Sequence, residues 1–169
     1  SGKATYIASS NFAGHDLVRA QWEADKRHFL GLVAEQHQYH LLSRLPELEV
    51  IPAARELGLG FVTYSPLAGG MLGENALKRL SGSRGENRHY SEAMIKTLTD
   101  FADFCRELGE KQSNVAMAWI LKNPVVTSPL IGPRTPEHLD NILHALDVKL
   151  DDSAMKRLDE IFPGPGGEA

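Results

Sequence analysis

Four short clusters are where this chain could do chemistry. They are Ser9-Ser10-Asn11-Phe12, the run Glu35 to Leu42 beginning with Glu35-Gln36, the run Tyr64-Ser65-Pro66-Leu67-Ala68-Gly69-Gly70, and Ile131-Gly132-Pro133-Arg134-Thr135-Pro136. Each ends an apolar run of strand length. Polar or glycine-rich groups therefore stand at the carboxyl end of every candidate strand, the side on which parallel α/β folds gather ligands. Taken singly, each has a plain structural reading. Ser-Asn after a strand serves as a turn or a helix cap, and Arg134 reads as a solvated loop charge. Four in order carry what one does not.

Other chemistries find no footing. The sequence has no GxGxxG, no P-loop, no GxSxG, no HExxH and no CxxC. Glu47 and Glu49 read as anionic charge complementing a helix start. Glu107, Glu110 and Lys111 read as a solvated helix end, and His37 and His40 as a solvated loop pair. His15, Asp16, Lys26 and His28 are close only in sequence and receive no role. One cysteine, Cys105, excludes an internal disulfide framework and fits a reducing compartment, and its place on a candidate helix makes it an inert, half-buried thiol. A net charge of −4 without a basic stripe argues against a nucleic-acid surface. No apolar run reaches the roughly 20 residues of a membrane helix, and Ser1-Gly2-Lys3 opens no signal-peptide core. The expectation is a cytoplasmic protein with neither a nucleic-acid nor a membrane partner.

The elements that must position these clusters alternate. Candidate strands are Ala4 to Ser9, Leu32 to Gln36, Gly60 to Tyr64 and Val125 to Ile131. Candidate helices are His15 to Lys26, Pro46 to Leu57 (closed by Gly58), Ser91 to Leu108, Ser113 to Leu121, Pro136 to Leu146 and Asp151 to Ile161. The helix over Ser113 to Leu121 is apolar nearly all round and should be buried on most sides. Residues 68–90 read as a long loop whose stretch Ser81 to His89 is too hydrophilic to pack, and 163–169 as a flexible tail. The first three strands start about 28 residues apart, the size of a right-handed parallel βαβ unit. The fold class is α/β, one domain over 1–169. A four-stranded parallel sheet has two open edges, and periodicity alone leaves a doubly wound sheet and part of a closed barrel equally open.

The ordered motifs, with Val115-Ala116-Met117-Ala118-Trp119-Ile120-Leu121 and Asn123-Pro124, resemble the aldo-keto reductase family, in the branch of potassium-channel β subunits and bacterial NADPH-dependent reductases. The resemblance runs over nearly the whole chain. It implies strands five to eight of a (β/α)8 TIM barrel, a C-terminal half-barrel, with NADPH as cofactor. By that resemblance Ser10, Asn11 and Gln36 hydrogen-bond the nicotinamide carboxamide, and Tyr64 stacks on the nicotinamide ring. Ser65, Pro66, Leu67, Ala68 and Gly69 wrap the pyrophosphate. Gly132 also belongs to the cofactor-binding set, and Arg134 and Thr135 meet the 2′-phosphate at a helix N-terminus, favouring NADPH over NADH. His138 replaces a Gln or Arg of the family, so its contact varies with pH. Asn141 and Ile142 replace an acidic residue-Asn pair near the adenine, and Ile142 can make no amide contact there.

The resemblance also implies an absence. The family reduces carbonyls with an Asp, Tyr, Lys, His tetrad carried on the first half of the barrel. Tyr6, Tyr39 and Tyr90 do not match its tyrosine, nor His37 and His40 its histidine, so no catalytic residue is assigned. Three readings stay open. The chain is part of a longer reductase whose first half completes the site for a small carbonyl substrate; it is a half-barrel that pairs with a second copy, burying Tyr6, Ala8, Val33 and Val62; or it is a non-catalytic NADPH-binding scaffold or regulatory subunit.

Overall fold

The computed structural model describes residues 2–81 and 90–166. Nearly all of the polar stretch ending at His89, and the last residues from Gly167, therefore lie outside the described residues.

Strands β1 (Ile7–Ser10), β2 (Leu32–Gln38), β3 (Gly60–Tyr64) and β4 (Val126–Pro129) form one parallel sheet in the order β1-β2-β3-β4. Helix α1 (Gly14–Lys26) joins the first two strands and α2 (Val50–Glu56) the next two. The third connection carries α3 (Ala76–Ser81), α4 (Glu92–Leu108) and α5 (Gln112–Lys122), and α6 (Pro136–Leu143) and α7 (Asp152–Ile161) follow β4. This is the expected alternation. Several boundaries differ from the sequence reading, among them that of β2, which runs on to Gln38 instead of ending at Gln36. β1 begins at Ile7 and β4 ends at Pro129, the Leu130 N–H making a last hydrogen bond to the Thr63 carbonyl (2.7 Å) beyond the strand. The expected helix from Pro46 splits into a 3-10 turn at Leu45–Glu47 and α2, and the helix from Pro136 ends as a 3-10 turn at His144–Leu146. The loop over 68–90 contains α3, seated through the buried Ala76.

Local chemistry explains the ends. Ser91 and Asp151 cap α4 and α7 by accepting from Met94 N–H (3.2 Å) and Ala154 N–H (2.8 Å). Gly109 closes α4 in the left-handed region at φ 71°, where a side chain would be strained. Gly14 answers a different need: a Cβ there would lie 2.7 Å from the Glu49 carbonyl oxygen, where α1 meets the chain entering α2.

The helices pack on one face of the sheet. Phe61 is fully buried among Leu17, Ile51, Ala54 and Trp119, and α5 is buried at every position from Asn114 to Ile120, as its all-round apolar sequence requires. Cys105 is fully buried rather than half-buried, and burial pushes its thiol up to about 12. The opposite face is open. It carries Ala8, Gln36, Val62 and Tyr64, all exposed or half-exposed, while Val33 sits half-buried at the irregularity where the Ile7↔Leu32 pair gives way to Ala8↔Ala34. Tyr6 precedes β1 and is 66% exposed. No helix among the described residues is long and apolar enough to cross a membrane.

Arg44 ties the last helix to the second unit. Its guanidinium donates to both Glu47 oxygens (2.8 and 3.0 Å), to Asp159 (2.6 Å) and to the Phe162 carbonyl (2.7 Å), and lies 5.1 Å from the Trp119 ring. Glu47 thus serves this network instead of a helix dipole, and it also accepts from the Tyr39 hydroxyl at 2.9 Å. Glu107, read as solvated, pairs with Arg157 on α7. Replacing Arg44 by Met leaves two carboxylates and a carbonyl without their donor, so Arg44→Met is expected to cost about 2 kcal/mol. Urea unfolding checks this, and an unchanged midpoint would contradict the role assigned to Arg44.

Candidate functional site

The parallel register sets the first half of the site. Ser10 stands opposite Gln36, and Gln38 opposite Tyr64, so the carboxyl ends of three strands share one edge of the open face. The Asn11 N–H donates to the Gln36 carbonyl (3.0 Å), and the Tyr64 hydroxyl donates to Asn11 Oδ1 (2.9 Å). Asn11 holds φ 59°, a conformation asparagine tolerates better than most residues. With its oxygen occupied by Tyr64, the Asn11 amide keeps its N–H donors for something else.

The second half is a cleft of about 680 Å³, within the range of small-molecule sites. Of the expected residues, Ser65, Pro66, Leu67, Gly69, Gly132, His138 and Asn141 line it; Ser10, Asn11, Gln36, Tyr64, Ala68, Arg134 and Thr135 do not. The turn after β3 is tightly wound. Ser65, Ala68, Gly69 and Gly70 have φ of 55°, 49°, 65° and 94°, and the Ala68 N–H returns to the Ser65 carbonyl at 2.8 Å. Non-glycine residues held left-handed are costly and gather at functional turns. A Cβ added at Gly69 or Gly132 would meet nothing within 4 Å, so side chains there would project into open space beside the turn instead of into the protein.

Across the cleft the charges are mixed. Glu74 accepts from the Ser113 hydroxyl (2.6 Å) and backbone N–H (3.2 Å). Burial works to raise its carboxyl, but the Ser113 hydrogen bonds and the Lys111 charge outweigh it and hold it below the usual glutamate value. Lys111 donates to Asn141 Oδ1. It lines the cleft while remaining exposed, and Glu110 meets His144 at 3.2 Å. Glu74, Lys111 and Ser113 escaped the sequence reading because they reach the cleft from the segment before α3 and from the start of α5, with no spacing pattern linking them to residues 132–141. Thr135 caps α6, its hydroxyl accepting from the His138 N–H (3.3 Å) and donating to Glu137, whose carboxyl it lowers. Arg134 is exposed, without an ion-pair partner among the described residues.

The sequence that forms these strand ends and this cleft is similar to that of known proteins. The model of the aldo/keto reductase family matches residues 1–162. The chain belongs to that family. It is 57% identical over 99% of its length to an uncharacterized oxidoreductase, YrpG, of Bacillus subtilis, covering 52% of that protein. It is 30% identical over 96% of its length to a versiconal hemiacetal acetate reductase of Aspergillus parasiticus, covering 49% of it. It is 29% identical over 95% of its length to a putative voltage-gated potassium channel subunit beta of Schizosaccharomyces pombe, covering 51% of it. The chain thus spans about half the length of the curated relatives it matches. For an aldo/keto reductase, a four-stranded parallel sheet with alternating helices is consistent with a fragment of the family's barrel.

The two histidines expected in the loop part company, His37 lying within β2 and His40 after it. His37 is half-buried, whereas His40, expected to be solvated, is 3% exposed beneath the turn that bridges back to Ser43. Its Nε2 accepts from the Gln38 amide (3.0 Å), which places the ring proton on Nδ1, buried without a partner. Burial pushes its pKa down to about 4 from 6.5. Between those values the unfolded chain binds a proton that the folded chain refuses, so stability falls as pH falls from 6.5 towards 4. From pH 7 to pH 4.5 the wild-type chain is expected to lose about 2 kcal/mol more than His40→Gln. Urea unfolding at the two pH values measures it, and equal losses would refute the buried neutral imidazole.

Proposed function

We propose that this chain is the NADPH-binding part of an aldo-keto reductase, strands five to eight of its (β/α)8 barrel, acting in a protein that reduces aldehydes or ketones. The observation that carries the reading is the juxtaposition of the tethered Asn11–Tyr64 pair with the glycine-lined cleft at one end of the sheet. When bound, the nicotinamide supplies hydride to a carbonyl carbon.

The chain's own residues then have these tasks. Ser10, Asn11 and Gln36 offer the hydroxyl and amides that a carboxamide needs as partners. Tyr64, its hydroxyl pinned by Asn11, presents a fixed ring for stacking. The turn from Ser65 to Gly69 brings backbone close to the pyrophosphate. Arg134 and the start of α6 suit a phosphate dianion, with Lys111 and His138 nearby in the cleft. Glu74 and Glu137 oppose them, so the preference for NADPH over NADH should be modest and should depend on Arg134. In fluorescence titrations NADPH is expected to bind about tenfold more tightly than NADH, and Arg134→Ala to remove most of that difference. Equal affinities in the wild-type chain would defeat the phosphate assignment.

The proton donor and its partners we assign to the first half of the barrel, outside this chain. The exposed apolar groups favour such a partner: Ile7 on β1, Val18 and Trp22 on α1, and Phe29 and Leu30 before β2 are each about half or more exposed. A free strand edge beside them asks for cover. Either the first barrel half or a second copy can supply it. The 18.6 kDa chain alone is expected to associate, and Trp22→Lys with Phe29→Lys to lower its mass in light scattering. A compact wild-type monomer would argue against both occupants.

A further inference from the structure

We infer that Glu35 is a positioning residue for the nicotinamide end of the site, acting through the Ser10–Asn11 turn. The inference rests on the cofactor reading above. Glu35 is fully buried on the helix-packed face of β2, yet no cation accompanies it among the described residues. Its two oxygens are spent on one short segment: Oε2 accepts from the Ser9 hydroxyl and Oε1 from the Phe12 backbone N–H (3.0 Å). The carboxylate therefore grips both ends of Ser9–Phe12 from beneath and leaves Ser10 and Asn11 between its two anchors. That grip is what a strained turn needs. Asn11 stands at φ 59°, and its side chain meets the Tyr64 hydroxyl only while the backbone keeps that conformation.

A burial this complete is expensive for a carboxylate unless its hydrogen bonds matter. Here both go to the segment that presents Ser10 and Asn11, and neither serves the helix packing around it. Glu35 touches neither the cleft lining nor the open face, so its effect on a ligand is indirect and confined to one end.

The test compares two probes on the whole chain, NADP+ and 2′,5′-ADP, the second lacking the nicotinamide half. Glu35→Ala should weaken NADP+ by about tenfold and change 2′,5′-ADP by less than about twofold. Glu35→Gln, which keeps an acceptor and a donor at the same place, should restore most of the NADP+ affinity. Ser9→Ala, which removes one anchor, should show a smaller loss of the same kind and serves if Glu35→Ala does not fold. Parallel loss on both probes, or no loss on either, overturns the positioning role while the cofactor reading stands. Wild-type chain that binds the two probes equally, or binds neither, overturns the cofactor reading and this inference with it.

Discussion

The hydrogen-bond register of the parallel sheet is the constraint from which the rest follows. Pairing Ser10 with Gln36 and Gln38 with Tyr64 puts the last polar residue of each strand on the same rim and the same face. Strand side chains alternate with a period of two, so a slip of one residue in β2 would turn Gln36 into the helix-packed face and Glu35 out of it. That slip is opposed from both sides. Phe61, opposite Glu35, is fully buried among the helices, and the Glu35 carboxylate has hydrogen-bond partners only on that face. Packing and polar chemistry therefore specify one register, and that register sets the geometry of the strand ends.

The order of elements was legible because each rests on local chemistry. Apolar runs of five or six residues bounded by Ser-Asn, by Gly60 or by Gly132 read as strands, and caps such as Ser91, Thr135 and Asp151 mark helix starts. What escaped is what distant segments decide. His40 is followed in sequence by polar and aliphatic residues alike; only the turn returning to Ser43 buries it. Glu47 reads as a helix-start charge until Arg44 is seen reaching 115 residues along the chain to Asp159. The helix α3 hid in a stretch too short and mixed to show periodicity, although Ala76 is fully buried.

The site divides along the same line. Ser10, Asn11, Gln36 and Tyr64 were read from sequence as a set, and the structure brings them together, since a strand end is where chain order and position coincide. The cleft lining was legible only in half. Gly132, His138 and Asn141 follow a strand and are readable; Glu74, Lys111 and Ser113 arrive from the segment before α3 and the start of α5 and are not. The structure brings both parts to one end of the sheet but leaves Arg134 and Thr135 outside the cleft lining, with the Thr135 hydroxyl engaged in capping α6.

This division gives the departures from the family resemblance a physical sense. Residues at strand ends are fixed by the ladder, so a change there disturbs the sheet as well as the ligand. Residues around the cleft are side chains from several elements that can trade tasks. Asn141 and Ile142, which looked like a loss at the adenine end, stand beside Lys111, whose ammonium takes the Asn141 oxygen as acceptor. A charge from the residue before α5 and a carboxylate from the segment before α3 thus share the cleft with the residues of α6. The strand-end part is held by backbone geometry, whereas the cleft part is built by side chains from several elements, each of which can move without disturbing the ladder.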